Sequence, residues 1–253
     1  MSFGLGHGRA LDPALGVVGV GADELPPLPD SVLDDPDAGR VDPRAWFANP
    51  GAPFEIEIGS GKGTFLIQQG ALEPQVNYLG IEWAGEFYAY AADRVRRRRE
   101  ADGSLANVRL LHTDATEFLR WRCPEGIARV IHLYFSDPWP KSKHHKKRVV
   151  QDRFLADAWR VLAPGGELRV VTDHDGLWAW CLEHFHRWTH GTPPDEGVAS
   201  RTGGRGAFEL IAFDRPGSAR DHELVGTNFE RKFRVEGRSF HSGVLRRVAM
   251  PET

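Results

Sequence analysis

Short apolar segments alternate with helical patterns from Phe54 onward, and this alternation constrains the fold of the 253-residue chain more than any other feature. The segments predicted as strands are FEIEI, YLGIE, VRLLHTDA, RVIHLYFSD and ELRVVTD. Helical spacing is found in TFLIQQGAL, from Ala84 to about Arg99, in VQDRFLADAWRVL, which APGG is expected to end, and in GLWAWCLEHFHRW. Strands that alternate with helices predict an α/β fold with a mostly parallel, doubly wound sheet.

Residues 1–53 differ in composition from the rest of the chain. They are rich in Gly, Pro and Asp, with the breakers PPLP and DDPD, and one short helix is expected near RAWF. We therefore predict a flexible N-terminal arm over residues 1–53 and one large domain over residues 54–253.

The bulk composition excludes several classes of protein. A net charge of -3 gives no general attraction to nucleic acid, so any such attraction must come from local clusters. Cys123 and Cys181 have no metal-ligand spacing, and we predict no metal site and reduced thiols. The N-terminus lacks a secretory pattern and no run approaches a membrane span. We expect a cytoplasmic protein, a monomer or homodimer, with no membrane contact and no obligate protein partner.

Acidic residues stand at the carboxyl ends of all five predicted strands. They are Glu57, Glu82, Asp114, Asp137 and Asp173. Ligands of open parallel sheets bind outside these strand ends. A single acid there is commonly a solvated loop residue, but five in succession favour a binding site.

The loop EIGSGKG, which contains Gly59, Gly61 and Gly63, narrows the type of ligand. Thr64 occupies the place of the third glycine of a dinucleotide loop, and the first glycine of a Walker loop is missing. An acid, Glu57, stands two residues before G-x-G-x-G, which suits a cationic ligand with an amino acid group, such as S-adenosylmethionine. A simple tight turn is the alternative for the glycines alone.

Two further acids match such a ligand. Glu82, about 20 residues beyond the loop, is placed to accept hydrogen bonds from both ribose hydroxyls. Asp114, in TDA, is placed to accept one from the adenine amino group.

A basic run follows Asp137 in DPWPKSKHHKKR. Its charged residues can neutralise RNA phosphates, with the histidines as additional donors. They are Lys141, Lys143, His144, His145, Lys146, Lys147 and Arg148. A solvated cationic face is the alternative. The arginines at 94 and 96–99 either contact RNA or complement a helix dipole, and the sequence leaves both open.

The motifs EIGSGKG, YLGIE, LHTDA, YFSDPWPKSKHHKKR, LAPGGELRVVTD and GTNFERKF resemble those of the bacterial tRNA (guanine-N7-)-methyltransferases, from about Phe54 to Phe240. This resemblance implies a Rossmann-like class I methyltransferase sheet whose last strand is antiparallel. It also implies that residues 54–253 are the catalytic domain. It also implies S-adenosylmethionine as cofactor and a guanosine in the tRNA variable loop as substrate. The acidic PPLPDSVLDDPD and the stretch GTPPDEGVASRTGGRG depart from the family pattern, and the second is predicted to be a flexible loop insertion.

The resemblance also implies roles for single residues. Cofactor contacts are implied at Glu57, Glu82, Asp114 and Asp137. Substrate contacts are implied at Lys141, Asp173, Thr227, Asn228, Phe229 and Glu230, with RNA contacting residues 143–148. Taken alone, GTNFERKFR is typical of an edge strand.

Guanine N7 attacks a methyl sulfonium without losing a proton, so the reaction needs orientation rather than a strong base. Asp137 is the candidate catalytic residue, because a carboxylate there stabilises the positive charge that moves onto the ring. Trp139 either stacks on a base or packs in the loop. Asp173 can accept from guanine N1–H and N2–H, a donor pair that adenine lacks.

Two alternative functions remain at this point. DPWP is also similar to the D/N-P-P-Y loops that bind an exocyclic amine, although the fourth position here is Pro140. Methylation of guanine N2 or adenine N6 is therefore the first alternative. A non-catalytic RNA-binding module on the same fold is the second.

Overall fold

The computed structural model describes residues 8–249. Within this range the strands are β1 (Gly19–Val20), β2 (Phe54–Ile58), β3 (Asn77–Glu82), β4 (Val108–His112), β5 (Ala128–Tyr134), β6 (Leu162–Thr172), β7 (Phe208–Ile211) and β8 (His241–Arg247). The helices are α1 (Thr64–Leu72), α2 (Gly85–Asp102), α3 (Ala115–Trp121), α4 (Asp152–Val161), α5 (Asp175–Thr189), α6 (Glu196–Thr202) and α7 (Asn228–Val235). No helix in the described range is both long and apolar enough to cross a bilayer.

The chain forms two compact units. Met1–Cys123 and Arg215–Lys232 form the first unit, and Pro124–Asp214 and Phe233–Thr253 form the second. This division differs from a cut at residue 53, and the assignment of a flexible arm followed by a catalytic domain stays a prediction.

The first unit contains a parallel sheet in the order β1-β4-β3-β2. All five residues of β2 and the first five of β3 are buried, as expected for strands covered on both faces. The carboxamide of Asn107 donates hydrogen bonds to the carbonyl oxygens of Gly70, Glu73 and Val76. It thereby joins the end of α1 to the start of β4.

The described part of the predicted arm, residues 8–53, belongs to this first unit. Gly19 and Val20 pair in parallel with Leu110 and Leu111 of β4, and Val18 is fully buried. A 3-10 helix, Pro43–Trp46, forms where one short helix was predicted. Residues 1–7 of the arm lie outside the described range.

The second unit contains the sheet order β5-β6-β8-β7, with β8 antiparallel to both of its neighbours. The mostly parallel α/β fold with an antiparallel last strand is therefore confirmed. Trp159 and Trp188 are among its largest fully buried side chains. The indole nitrogen of Trp188 donates to Asp152 at 2.9 Å.

Three local predictions were wrong or incomplete. APGG does not form a loop after α4, because β6 begins at Leu162 and includes those residues. The segment 191–206, predicted as a flexible loop insertion, contains α6. The segment with an edge-strand pattern forms α7, where the amide of Glu230 donates to Thr227 Oγ1 at 3.1 Å. A Thr followed three residues later by Glu is a helix-start signal, and it prevails over the alternating pattern here.

Candidate active site

The loop between β2 and α1, residues 59–63, is called the glycine loop here. Its glycines have left-handed φ values of 72° at Gly59, 54° at Gly61 and 66° at Gly63. Gly63 is the N-cap of α1, and a Cβ at Gly63 would lie 3.0 Å from the Cβ of Ala91. A Cβ at Gly59 would meet no atom within 4 Å. The glycines therefore set a turn that other residues would strain, and they leave open space beside the backbone.

Glu82, at the end of β3, holds the glycine loop. Its Oε2 accepts from the Gly61 amide at 2.8 Å and its Oε1 from the Ala84 amide at 2.9 Å. A carboxylate oxygen has two lone pairs, so each oxygen keeps one for a ligand. Trp83 is 72% exposed, and no sequence motif predicted a role for it. Its position directly after Glu82, the candidate ribose-binding acid, is the sequence feature that could have indicated a role in the site.

Glu57, in β2, is a buried carboxyl group that is 4% exposed. Its Oε2 has no hydrogen-bond partner in the described part of the protein. Burial, and then the charge of Glu82, raises the pKa of Glu57 well above its ordinary value of 4.5. A buried acid without a partner is unfavourable, and a cation beside it would compensate. This arrangement fits a ligand that carries a positive charge.

Asp114, the third candidate cofactor acid, caps α3. Its Oδ1 accepts from the amides of Thr116 and Glu117 at 2.8 and 3.2 Å and from the Thr116 hydroxyl at 2.6 Å. Capping is thus a structural role for one oxygen. Its contact with an adenine amino group stays a prediction.

The segment Thr227 to Glu230 has a mainly structural role at its two ends. Glu230 is fully buried and accepts from the amides of Leu224, Val225 and Gly226, and this leaves it badly placed for the predicted contact with a base. Thr227 is buried as the cap of α7. The exposed residues are Asn228 and Phe229. The Cε2 of Phe229 would lie 3.7 Å from a Cβ on Gly61, a proximity that the sequence did not reveal.

The arginines of α2 are largely engaged within the first unit. Arg94 donates to the Lys62 carbonyl oxygen and so holds the glycine loop. Arg96 and Arg97 pair with Asp93, and Arg98 pairs with Asp102. Arg99 donates to the carbonyl oxygens of Val17, Leu105 and Val108. These contacts favour a structural role over RNA binding for the cluster.

In the second unit, Asp137 follows β5 in a strained loop. Asp137 is exposed and makes no hydrogen bond or ion pair with another described residue. Phe135 and Trp139 have positive φ values of 55° and 41°, which are unusual for bulky side chains. The ring of Phe135 packs edge-on against Phe233 at 5.9 Å. Strained backbone of this kind is often found at functional sites.

Arg148 is 4% exposed, although its position in the basic run predicts an RNA contact. Its Nε donates to the Pro138 carbonyl oxygen at 3.0 Å and its Nη1 to the Gly176 carbonyl oxygen at 3.2 Å. Its guanidinium also lies 5.2 Å from the ring centre of Trp180. This buried group supports the loop that carries Asp137, and an RNA contact at Arg148 stays a prediction.

The remaining basic run forms a 3-10 helix, Ser142–Lys147. Its lysines are exposed: Lys141, Lys143, Lys146 and Lys147. His144 and His145 are half-buried against Trp139 and Trp180, at 5.8 and 5.6 Å between ring centres. Lys147 lies 4.6 Å from the ring centre of Trp139. The packed position of Trp139 favours a loop-supporting role over stacking on a base.

Asp173, directly after β6, pairs with Arg238. The Asp173 side chain is 11% exposed and that of Arg238 is 44% exposed. Arg238 also pairs with Glu236 and lies over the ring of Phe233. Arg238 could not be identified from the sequence, because nothing in the chain order indicates that residues 65 positions apart meet.

The first unit thus brings together Glu57, the glycine loop, Glu82 and Phe229, and the second brings Asp137 and the exposed lysines into one loop. No group of three or more His, Cys, Asp or Glu side chains within the described residues has the arrangement of a metal site.

The chain is similar to several known proteins. A family described as "Putative methyltransferase" matches residues 51–193, more than half of the chain. A tRNA (guanine-N(7)-)-methyltransferase of Nitrobacter hamburgensis is 39% identical over 63% of this chain and 60% of its own length. Another, of Lactiplantibacillus plantarum, is 30% identical over 83% of this chain and 87% of its own length. The crystal structure of the aminoglycoside resistance methyltransferase NpmB1 is 18% identical, with a TM-score of 0.48 over 88% of this chain and 95% of its own.

The mostly parallel sheet with its antiparallel last strand, and the glycine loop beside a buried acid, define a class I methyltransferase. Within that class, the chain belongs to the tRNA (guanine-N(7)-)-methyltransferase family.

Proposed function

We propose that this chain transfers a methyl group from S-adenosylmethionine to N7 of a guanosine in the variable loop of tRNA. The proposal is carried by the relation, over 83% of the chain, to a protein named as a tRNA (guanine-N(7)-)-methyltransferase. The chain spans 60% of the length of the Nitrobacter relative and 87% of that of the Lactiplantibacillus relative.

Residues of the first unit are suited to S-adenosylmethionine, which supplies an electrophilic methyl group on a sulfonium when bound. Glu57 offers an unpartnered carboxyl oxygen to a positive charge. Glu82 keeps a lone pair on each oxygen for ribose hydroxyls, and the exposed ring of Trp83 offers a stacking surface for adenine. Asp114 retains its Oδ2 for the adenine amino group.

Asp137 acts on the substrate side of the reaction. N7 uses its own lone pair, so no side chain has to remove a proton from it. The purine becomes cationic as the methyl group arrives, and the Asp137 carboxylate stabilises that charge. The loop that carries Asp137 has a strained backbone and is supported by the buried Arg148. It therefore gives Asp137 a defined position before substrate binds.

Exposed lysines supply sequence-independent affinity for tRNA. Lys141, Lys143, Lys146 and Lys147 carry four positive charges on one short segment. Each phosphate that they neutralise releases counterions, which makes binding weaker at high salt.

Attack of N7 on the methyl group needs neither a metal nor a protein partner, since it requires no Lewis acid. We expect the purified chain alone to catalyse transfer in the presence of a chelator. Loss of activity on chelation that a divalent cation restores would contradict this expectation.

The test is chemical identification of the product. The protein is incubated with labelled S-adenosylmethionine and tRNA, and the tRNA is then reduced mildly and treated with aniline. A cationic N7-methylated guanosine has a labile ring, so the strand is expected to break at one position in the variable loop. Replacement of that guanosine by adenosine should abolish both methyl uptake and cleavage. Methyl uptake without cleavage would instead indicate an exocyclic amine, and binding without uptake would indicate a non-catalytic module.

A further inference from the structure

The carboxylate of Asp173, which is expected to recognise guanine, is paired with Arg238. Arg238 Nη1 pairs with Asp173 Oδ2 at 2.5 Å, and its Nη2 pairs with Glu236 Oε2 at 2.6 Å. The guanidinium carbon lies 4.1 Å from the ring centre of Phe233. Arg238 therefore combines a hydrogen bond to a carboxylate with stacking on an aromatic ring.

The end of α7 explains this placement. Gly237 has a φ of 72°, and its amide donates to the carbonyl oxygen of Arg234 at 3.0 Å. The Arg238 amide donates to the carbonyl oxygen of Phe233, also at 3.0 Å. These two bonds form a Schellman motif, which folds the chain back and brings the residue after the glycine over the helix. The backbone turn at Gly237 thus places the Arg238 guanidinium beside Phe233 and Asp173.

The chemistry of this arrangement matches that of a guanine base. Guanine contains a guanidine unit, N1–C2–N2, whose N–H groups donate to a carboxylate and whose flat ring stacks on aromatic side chains. Adenine presents an acceptor at N1 and cannot donate from that position.

We propose that Arg238 is a specificity-determining residue that occupies the guanine-binding position of Asp173 in the free protein and is displaced by the target base. This inference rests on the proposed function. A base without the adjacent N1–H and N2–H donors of guanine cannot replace Arg238 on Asp173, so the ion pair closes the position to adenine. After transfer, Arg238 competes with the methylated base and favours its release.

The test uses the sign of a change in tRNA affinity. Loss of an arginine from an RNA-binding protein ordinarily weakens binding. Arg238→Ala is expected to do the opposite and to lower the Kd for both substrate and methylated tRNA by about two- to fivefold, the range for a partly exposed ion pair. Arg234→Ala is the matched control, because Arg234 is an arginine of α7 just before the turn that carries Arg238, and its guanidinium carbon lies 5.0 Å from the ring centre of Phe240. The comparison is made at equal ionic strength with S-adenosylhomocysteine bound.

Two further measurements decide the outcome. First, in a protein that already carries Asp173→Asn, Arg238→Ala should no longer tighten tRNA binding. Second, a tRNA with adenosine at the target position should bind to Arg238→Ala no more tightly than to Arg234→Ala. Circular dichroism checks that each variant is folded. If the wild type forms no N7-methylguanosine, the proposed function fails. If it does form it but Arg238→Ala binds tRNA no tighter than Arg234→Ala, only the displacement of Arg238 is refuted.

Discussion

Replacement of Glu57 by Gln should make the ligand-free protein more stable and make it bind S-adenosylmethionine less tightly. Glu57 is 4% exposed and its Oε2 lacks a partner, so the folded state carries the cost of an unsatisfied buried acid. Such a group costs about 1–3 kcal/mol, and Gln removes the charge but keeps a polar amide. We therefore expect a gain of about 1 kcal/mol, which corresponds to about 2–4 °C in Tm for a chain of this size.

The raised pKa of Glu57 also predicts how the stability of the wild type changes with pH. The pKa of Glu57 is raised in the folded state, so that state binds the proton more tightly than the unfolded chain does. Stability of the wild type therefore falls as pH rises from the ordinary value of 4.5 through the raised pKa. Glu57→Gln lacks this contribution, and the difference in Tm between the two proteins should grow over that pH range.

When S-adenosylmethionine is bound, the wild type should be more stable than Glu57→Gln. Loss of a charge-assisted contact of about 1.5–3 kcal/mol should weaken S-adenosylmethionine binding by roughly 10- to 150-fold. Isothermal titration calorimetry measures this affinity, and differential scanning calorimetry at several pH values measures Tm with and without ligand. The reasoning is refuted if Glu57→Gln is less stable than the wild type at neutral pH and binds the ligand equally well.

Three further variants test the second unit. Asp137→Ala should lower kcat by about 100-fold or more with saturating substrates while the circular dichroism spectrum is retained, and turnover within tenfold of the wild type would remove its catalytic role. Joint replacement of Lys143, Lys146 and Lys147 by Ala should reduce the slope of log K against log salt for tRNA binding by about 2–3, and an unchanged slope would show that these lysines do not contact phosphate. Arg148→Met should lower the free energy of unfolding by about 2–4 kcal/mol in urea, because two carbonyl groups lose charged donors; the triple lysine variant, which should unfold like the wild type, is the control.

Local sequence patterns predicted the central elements of the fold because each of them depends on neighbouring residues. FEIEI and TFLIQQGAL form β2 and α1 over the predicted residues, since an apolar run suits a buried strand and the glycines between them end it. The acids at the strand ends were also placed correctly relative to the strands, as Glu82, the last residue of β3, illustrates.

Contacts between distant residues could not be predicted in the same way. Arg148 belongs to a dense run of charge, and only the fold reveals that the carbonyl groups of Pro138 and Gly176 bury it. Glu230 was interpreted as a base acceptor, although three amides just before α7 occupy its carboxylate. A residue type and a spacing identify a chemical capability, but the partner that uses it is set by packing.

The two-residue strand β1 has a consequence for the behaviour of the protein in concentrated solution. An open strand edge presents unpaired N–H and C=O groups that can pair with another chain. In the first unit, Gly19 and Val20 lie along β4, and the Leu110 amide donates to the Val18 carbonyl oxygen at 3.0 Å. Ion pairs of Arg9 with Asp93 and of Arg96 with Asp12 hold this segment in place. The beginning of the described chain thus shields β4 from edge-to-edge aggregation, a protective role that is independent of methyl transfer.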